Sequence, residues 1–490
     1  MKEFRALTGS KFLNHPFIFG GFLFGTILIG YLLSYSGRFF YVTDGYVMYN
    51  EARMLVETGR LFTPADLGGQ LANAEGGAIP YVKRGRDGQY YSKYGPGMAL
   101  LEALVMFVGK IQPQHTLRLL GLMNPILTAA TAVLLYLIAT MFTHHAKRAA
   151  LIALAFAFTT FAWPYVAYDY SEPLQAFCVA AAIFFLFRWH STQNLTLLSL
   201  SGLMVGYAAA TKFTLLLVVP GLLVYLIARS SRAARLRATV LFMVPIAAIA
   251  ILLGLFNYAR FGSPFDFGYD AKETFSTPFA TGAFGLAFSL NKGMIFFAPL
   301  VLLAPLGLYA MRQRWLPEAI VLVGIFLANL LLYSMWWAWQ GGLSWGPRFL
   351  VPFVGLLLVP IVFLLDRPAL QVAALILMIF GFGINALGMI VDVKAYRAAV
   401  DSGLSAAQMT GKLGSDIFHI SETPEFSQIP GHLWLLAAFY YGRSAHTGLT
   451  PENAIFRAPL WITKYPQAIP QSISGDVISP WILSTWSSGG

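Results

Sequence analysis

Three carboxylates lie at the borders of strongly apolar runs of the sequence. Asp44 follows the first run, and Asp169 and Glu172 lie in a short polar turn between the third and fourth runs. Carboxylates next to hydrocarbon are costly, so they tend to be paired, bound to a metal or catalytic. Two simpler roles stay open, because Asp44 is also suited to cap an amphipathic helix that ends at Thr58, and Glu172 to begin the helix that follows it.

Four cations occupy comparable positions. Lys93 lies among tyrosines just before the turn Gly95-Pro96-Gly97, and Arg348 follows a turn rich in glycine and tryptophan. An ammonium or a guanidinium in such a setting can hold a phosphate. Lys212 and Arg260 are further candidates on polar connections. For the two lysines, contact with lipid headgroups or snorkelling out of the hydrocarbon is the simpler alternative.

Carboxylates that remove a proton and cations that hold a phosphate are the parts of a transferase that uses a phosphorylated lipid donor. The sequence has no HExxH motif or other histidine cluster with metal-ligand spacing, which argues against a zinc hydrolase, and no GxxxxGK[ST] loop, which argues against an ATP-driven pump. Cys178 is the only cysteine, so a disulfide framework is excluded.

The elements that must position these residues are membrane helices. Of the 490 residues, 57% are hydrophobic and 11% are charged, whereas soluble domains have roughly 25% charged residues. A soluble multidomain enzyme is therefore excluded, and 40 Phe, 23 Tyr and 11 Trp exclude a disordered chain. The net charge of +11 is concentrated at the ends of apolar runs. That location favours topology signals and contacts to anionic lipid, and argues against nucleic acid as a partner.

Eleven runs approach the roughly 20 apolar residues that a helix needs to cross a bilayer. Basic residues in alternate connections place the N-terminus in the cytoplasm and the large polar connections outside. The connections assigned to the cytoplasm carry Lys147 and Arg148, Arg188, Arg229 with Arg232, Arg235 and Arg237, Arg312 with Arg314, and Arg367. This orientation requires that 95–111, which contains Glu102, lies in the outer interface without crossing. The sequence thus predicts an all-α polytopic membrane protein with about eleven spans, at 15–36, 118–142, 148–164, 173–188, 195–211, 213–229, 238–257, 294–310, 318–335, 349–365 and 369–390.

The order of these motifs resembles the GT-C membrane glycosyltransferases, particularly the bacterial relatives of protein O-mannosyltransferases and of the aminoarabinose transferases that modify lipid A. The resemblance covers about the first 350 residues. It rests on Thr43-Asp44-Gly45-Tyr46, on Tyr91-Ser92-Lys93-Tyr94-Gly95-Pro96-Gly97, on Tyr168-Asp169-Tyr170-Ser171-Glu172, on Thr211-Lys212, on Arg260-Phe261-Gly262-Ser263-Pro264 and on Trp345-Gly346-Pro347-Arg348.

Two departures from that pattern are visible. Many protein mannosyltransferases carry Asp-Glu at the first motif, whereas here Gly45 follows Asp44 and leaves one carboxylate. The lysine motif continues with Tyr-Gly-Pro where the family has a double proline. These departures bear on the acceptor more than on the chemistry.

The resemblance implies a module of seven spans with a large first outer loop, 37–117, that carries two interfacial helices. It implies an inverting transfer of a sugar from a polyprenyl-phosphate donor to a hydroxyl of a glycan, lipid or protein, at the outer face of a bacterial or archaeal inner membrane. The expected division of the chain is a GT-C-like module at 1–260, a variable transmembrane module at 261–390 and an outer C-terminal cap at 391–490.

Within that chemistry, Asp44 is the predicted general base, because an ionised carboxylate at the bilayer edge can approach the attacking oxygen. Lys93 and Arg348 are predicted to hold the donor phosphate, with Lys212 and Arg260 as secondary candidates. Asp169 and Glu172 are expected to orient the acceptor, to tune Asp44 or to bind a divalent cation, and the sequence does not choose among these roles. No other cofactor is expected.

Two functions from other classes compete with this hypothesis. Intramembrane charges also mark transport paths, although transporters usually place their sites near the midplane of repeated halves, and no repeat is visible here. A subunit that uses the same fold for assembly after losing its activity is the other alternative. Release of polyprenyl phosphate from a polyprenyl-phosphate sugar would separate the transferase from both.

Overall fold

The computed structural model describes residues 15–34, 43–72, 80–109, 116–143, 145–342, 344–391, 396 and 427–443. The basic residues of the predicted cytoplasmic N-terminus and most of the predicted C-terminal cap lie outside these ranges. The boundaries expected at 260/261 and 390/391 stay predictions.

The described chain is almost entirely helical, as expected for a polytopic membrane protein. Five short 3₁₀ segments join or extend the helices, at Pro164–Ala167, Phe213–Val218, Pro299–Leu303, Arg348–Leu350 and Val359–Leu364. The α-helices are α1 (Pro16–Ser34), α2 (Thr43–Thr58), α3 (Ala65–Ala72), α4 (Gly97–Gly109), α5 (Thr116–Gly121), α6 (Met123–Thr140), α7 (Ala146–Thr159), α8 (Glu172–Thr192), α9 (Thr196–Thr211), α10 (Val219–Arg229), α11 (Arg235–Phe261), α12 (Phe279–Phe288), α13 (Met294–Phe297), α14 (Ala304–Met335), α15 (Val351–Leu358), α16 (Pro368–Ile390) and α17 (Gln428–Arg443).

Every predicted span coincides with helical structure, which confirms the all-α polytopic fold. Two of the predicted spans, at 294–310 and 318–335, are joined within α14, whose backbone leaves the helical region at Trp315 just before Pro317. Proline cannot continue the hydrogen-bond ladder of the preceding turn, which accounts for a kink there. The helix α12 in the connection at 258–293 was not predicted.

The helices divide into a buried group and a lipid-facing group. In α8, 72% of the most apolar stretch is buried inside the protein, whereas in α11 only 11% is. An apolar helix that leaves its side chains uncovered by protein requires another apolar environment, and the hydrocarbon of a bilayer supplies it. The core therefore runs along α6 and α8, with α11 and α1 at the periphery.

The first outer loop contains two of the helices expected to lie at the interface, α2 and α4. With 13 residues, α4 is about 20 Å long, shorter than the roughly 30 Å of hydrocarbon that a spanning helix must cross. Between them lies a short hairpin that the sequence did not predict: β1 (Val82–Arg84) pairs antiparallel with β2 (Tyr90–Ser92), and Lys83 faces Tyr91. This hairpin leads directly into Lys93.

Candidate active site

Arg348 joins two of the predicted carboxylates. Its Nη2 donates to Asp44 Oδ2 at 2.6 Å and its Nε donates to Glu172 Oε1 at 2.6 Å. The guanidinium carbon lies 4.1 Å from the centre of the Tyr170 ring, so its flat face is covered as well. Residues from α2, from the start of α8 and from the segment after Pro347 therefore meet at one charged centre.

Asp44 is held in its ionised form. Burial by itself raises the pKa of this carboxyl, but the charge of Arg348, hydrogen bonds from Tyr94 and Arg348 and the charge of Lys93 together lower the pKa below its ordinary value. Asp44 is not the cap residue that one interpretation of the sequence expected, because the helix begins at Thr43 and Asp44 lies in its first turn. Its carboxylate contacts Arg348, a partner distant in sequence.

Gly45 explains one departure from the family pattern. A Cβ atom at this position would lie 2.2 Å from the backbone oxygen of Asp169 and 2.4 Å from its Oδ2. Such distances are sterically forbidden, so no side chain fits here without moving the turn. Asp169 therefore packs directly against α2 at the residue that follows Asp44.

Asp169 forms a buried pair with Glu102. Both side chains are fully buried, and their four carboxyl oxygens accept no hydrogen bond from any other group in the described residues. Burial raises the pKa of Asp169 to about 7, with an opposing contribution from its hydrogen bond to Glu102 and a further rise from the charge of Asp44. Two buried carboxyls in contact are most stable when they share one proton.

Lys93 is paired with an acid that sequence reasoning missed. Its Nζ donates to Glu273 Oε1 at 2.6 Å, and the side chains are 9% and 3% exposed. The second oxygen of Glu273 accepts a hydrogen bond from the backbone N–H of Asp270 at 2.9 Å. Glu273 lies in the long polar connection after α11, where no apolar boundary singles out one carboxylate among several.

The glycines of the lysine motif bring Lys93 towards Lys212. A Cβ on Gly95 would lie 2.2 Å from the backbone oxygen of Ala210, and a Cβ on Gly97 would lie 2.8 Å from the backbone nitrogen of Thr211. The turn therefore packs against the last residues of α9, immediately before Lys212. These glycines are needed for close packing of two backbones, a role that the phosphate-binding interpretation did not anticipate.

Lys212 is surrounded by rings and has no carboxylate partner within salt-bridge distance among the described residues. Its Nζ lies 4.0 Å from the centre of the Phe349 ring and 4.8 Å from that of Tyr333. The charges of Glu172, Asp44 and Glu273 act on it electrostatically, as does that of Arg348. Aromatic faces stabilise a cation only partly, so Lys212 retains capacity for an anion.

A cavity of about 520 Å³ opens beside these cations. Phe213 and Phe267 stack in its wall with ring centres 4.3 Å apart. Its polar lining includes Lys212 and also Glu273, the partner of Lys93. Most of its other lining residues are aromatic. The lining residues are Lys212, Phe213, Thr214, Ser263, Phe265, Asp266, Phe267, Tyr269, Glu273, Phe275, Tyr333 and Trp336.

Arg260 lies apart from the cluster around Arg348 and does not line the cavity. Its Nη1 donates to the backbone oxygen of Ser92 at 3.0 Å and its Nη2 to Asn257 at 2.6 Å. The backbone N–H of Ser92 in turn donates to Glu51 at 2.8 Å. Burial raises the pKa of Glu51 to about 7, against the effects of that bond and of Arg260. These contacts fix the strand that precedes Lys93.

The residues do not fit a divalent cation between the acids. Arg348 occupies the position between Asp44 and Glu172 that such a cation would need. Within the described ranges, no three His, Cys, Asp or Glu side chains are placed to share a metal ion. The possible divalent cation that the sequence left open is therefore not supported at this position.

Comparison with known proteins places this arrangement in context. Residues 96–256 match the sequence profile of the family described as dolichyl-phosphate-mannose-protein mannosyltransferase. The GT-C resemblance is thereby confirmed. The matched segment runs from the glycine turn after Lys93 through Asp169, Glu172 and Lys212 to the last helical turns before Arg260. Among curated proteins, none matches the chain.

Solved structures of GT-C enzymes are also similar to this chain. A crystal structure of ArnT from Cupriavidus metallidurans bound to undecaprenyl phosphate has 14% sequence identity and a TM-score of 0.49, covering 96% of this chain and 78% of that one. The oligosaccharyltransferase AglB from Archaeoglobus fulgidus, in complex with an inhibitory peptide and a dolichol-phosphate, has 11% identity and a TM-score of 0.46. That match covers 83% of this chain and 59% of AglB.

Proposed function

We propose that this protein is an inverting glycosyltransferase that moves a sugar from a polyprenyl-phosphate-linked donor to a hydroxyl of a glycan, lipid or protein acceptor. The observation that carries the proposal is the convergence of Asp44, Glu172 and Arg348 beside a cavity whose wall includes Lys212. The charges of all three act on Lys212, which connects this cluster with the cavity.

In the proposed step, the acceptor oxygen attacks the anomeric carbon of the donor sugar from the face opposite the phosphate. The new C–O bond forms as the bond from that carbon to the phosphate oxygen breaks, and the electron pair of the broken bond leaves with polyprenyl phosphate. Asp44 takes the proton of the acceptor hydroxyl. General-base catalysis of this kind accelerates the transfer reaction by about 10² to 10⁴-fold. Attack from the opposite face inverts the anomeric centre.

The leaving phosphate gains charge as the bond breaks, so fixed cations stabilise the transition state more than the ground state. Lys212 is the cation best placed to meet the phosphate, because it lines the cavity and its neighbours are mainly rings. Lys93 joins it when the phosphate displaces Glu273, the present partner of its ammonium. Arg348 completes the set from the side of the carboxylates.

The aromatic lining suits the rest of the donor. Rings such as Phe213, Phe267 and Trp336 offer apolar faces for isoprene units and flat faces for a sugar. Asp169, which packs against α2 behind Asp44, orients the base, and Glu172 holds Arg348 on its other side.

The outer face of the membrane is the proposed location of the site. Two contacts join connections that the sequence assigns to the cytoplasm: Arg148 pairs with Asp366, and Arg229 with Glu318. The basic residues of those connections favour the cytoplasmic side. The polar segments that build the site belong to the other set of connections.

The test is an assay of the purified full-length protein in lipid vesicles that contain polyprenyl-phosphate sugars, with soluble and lipid acceptors supplied. The proposal expects acceptor-dependent release of polyprenyl phosphate and a glycosylated acceptor whose anomeric configuration is inverted. A transporter would move the intact donor across the bilayer without cleavage. An assembly subunit would do neither, and either result would overturn the proposal.

A further inference from the structure

The turn that precedes Arg348 is held at both ends by one side-chain amide. The backbone N–H of Gly346 donates to Gln428 Oε1 at 3.0 Å, and Gln428 Nε2 donates to the backbone oxygen of Ser344 at 2.7 Å. Gln428 is the first residue of α17 and is 3% exposed. A residue more than 80 positions later in the chain therefore satisfies both polar groups of this turn.

The same carbonyl oxygen of Ser344 is contacted by a buried cation. The ammonium of Lys292 donates to it, and Lys292 is 2% exposed. No carboxylate lies within salt-bridge distance of Lys292 in the described residues. A buried ammonium is costly without compensation, so a backbone oxygen that accepts from both Lys292 and Gln428 marks a turn whose position is strongly fixed.

Trp345, in the middle of the turn, is fixed separately. Its indole N–H donates to Asn385 Oδ1 at 3.0 Å, and its backbone oxygen accepts a hydrogen bond from the Tyr165 hydroxyl at 2.9 Å. The ring of His432, one turn further along α17, packs against the indole with centres 4.7 Å apart. The turn is thus anchored to α16, to the segment before α8 and to α17.

The position of Arg348 depends on this turn, because a short stretch of backbone connects the two. Its N–H donates to the backbone oxygen of Gly346 at 3.1 Å, and Gly346 has a φ of +58°, which favours glycine. Only Pro347, with its restricted φ, separates the two residues. A displacement of Gly346 is therefore passed on to the guanidinium, whose two bonds to carboxylates are both 2.6 Å long.

We propose that Gln428 and Lys292 are positioning residues that hold the turn 344–347 so that Arg348 bridges Asp44 and Glu172. The proposal rests on the proposed function, since it assigns to α17 a part in that same site. It gives the region after residue 391 a role in catalysis, although none of its described residues lines the cavity or contacts the three charged groups.

The test measures kcat/KM against pH for the full-length protein and its Gln428→Met variant, which keeps the side-chain volume and loses both hydrogen bonds. We expect a loss of kcat/KM of about 10 to 100-fold, because small displacements of a positioned group carry such costs. We also expect the acidic limb of the profile to move to higher pH. Arg348 lowers the pKa of Asp44, so a looser Arg348 lets Asp44 take up its proton earlier.

The other groups that interact electrostatically with Asp44 are Tyr94, Lys93, Asp169, Tyr170, Lys212 and Tyr269, and the substitution changes none of them. Gln371→Met is the matched control. Gln371 also donates to a backbone oxygen, that of Leu365 at 2.6 Å, but it lies near the opposite end of α16 from Asn385. We expect its acidic limb to coincide with that of the unmodified protein.

Lys292→Met provides a second variant in case the first does not fold, and we expect a smaller shift in the same direction. An active protein whose Gln428→Met and Lys292→Met variants keep an unmoved acidic limb would overturn this inference alone. Absence of transfer by the unmodified protein would instead overturn the proposed function, so the two failures are distinguishable.

Discussion

Among the described residues, two arginines form buried or largely buried pairs with carboxylates, one in the candidate site and one in the connections assigned to the cytoplasm. Arg229 directs one nitrogen to both oxygens of Glu318, at 2.7 and 2.9 Å, and the Tyr225 hydroxyl donates to the same carboxylate at 2.8 Å. One cation, one anion and one neutral donor meet here with the charges balanced, although the buried Nε of Arg229 has no hydrogen-bond partner in the described residues.

Arg348 is bound in a different way. It divides its guanidinium between two carboxylates, and the second oxygen of Glu172 is buried with no hydrogen-bond partner in the described part of the chain. The oxygens of Asp169 are also buried and have no partner in the described residues other than Glu102, and Lys212 nearby has rings for neighbours. Buried polar groups are normally satisfied. The charges of the Arg229 pair balance within the pair, whereas the cluster around Arg348 has two acids for one arginine and lies close to a cavity, which suits it to a substrate.

The largest effect should follow the removal of one charge from the cluster around Arg348. Asp44→Asn keeps a hydrogen-bond acceptor for Arg348 but cannot take a proton at neutral pH, so we expect kcat to fall by about 10² to 10⁴-fold. Binding of the donor lipid should persist. The measurement is the initial rate of polyprenyl phosphate release, together with binding of labelled donor.

Asp66→Asn is the matched control for that variant. Asp66 also lies in the first turn of a helix of the outer loop, α3, but it is exposed and has no part in the cluster. Its rate should equal that of the unmodified protein. Transfer by Asp44→Asn at a rate comparable to that of the control would remove Asp44 from the role of base.

The comparison of the two arginines predicts that their loss has different consequences. Arg348→Met should lower kcat/KM by about 10² to 10³-fold through lost transition-state stabilisation. Arg229→Met should leave the kcat/KM of the folded protein nearly unchanged while lowering the free energy of unfolding by about 3 kcal/mol, because Glu318 stays buried without its cation. Equal losses of activity in both variants, corrected for the folded fraction, would contradict a catalytic role for Arg348 and a purely structural role for Arg229.

Substitutions of Lys93 and of Glu273 should change the KM for the donor in opposite directions. Lys93→Gln should raise the KM for the donor about ten-fold, the order of a lost charge-assisted hydrogen bond. Glu273→Gln should lower it, since the phosphate then meets no competing carboxylate at Lys93. Exposed Lys272 supplies the control Lys272→Gln. A donor KM that rises in both variants of the pair would show that Glu273 does not compete with the phosphate.

The smallest effect concerns stability. Folding raises the pKa of Asp169 from 3.8 to about 7, so the folded protein holds this proton over a range where the unfolded chain releases it. The resulting stabilisation is complete below about pH 4 and is lost as the pH rises to about 7. Thermal unfolding of the full chain should therefore show a midpoint that falls over this range. Asp169→Asn should reduce that slope, and an unchanged slope would contradict the buried pair with Glu102.

The fold was largely predictable because hydropathy alone defines spanning helices. Six of the described helices are long and apolar enough to cross a bilayer, and the remaining predicted spans coincide with shorter helices. The sequence did not predict that two runs join at Trp315, nor the helix α12 or the hairpin before Lys93. These features depend on tertiary contacts of polar segments, on which the bilayer imposes no length or composition.

The site was predictable where a charge stands next to hydrocarbon. Asp44, Glu172 and Arg348 were found in this way, and the structure brings the three together. Glu102 attracted notice only as an acid in an apolar helix, and its pairing with Asp169 could not be inferred from their separation in sequence. Glu273 and Gln428 were missed because their roles arise from partners about 180 and 80 residues away.

A density map of the protein with bound polyprenyl-phosphate sugar tests the central claim most directly. The account predicts the donor phosphate within hydrogen-bonding distance of Lys212 and of at least one of Lys93 and Arg348, with an Asp44 oxygen on the opposite side of the anomeric carbon from the phosphate. A phosphate bound elsewhere, or an anomeric carbon that Asp44 cannot approach even through an acceptor hydroxyl, would contradict it.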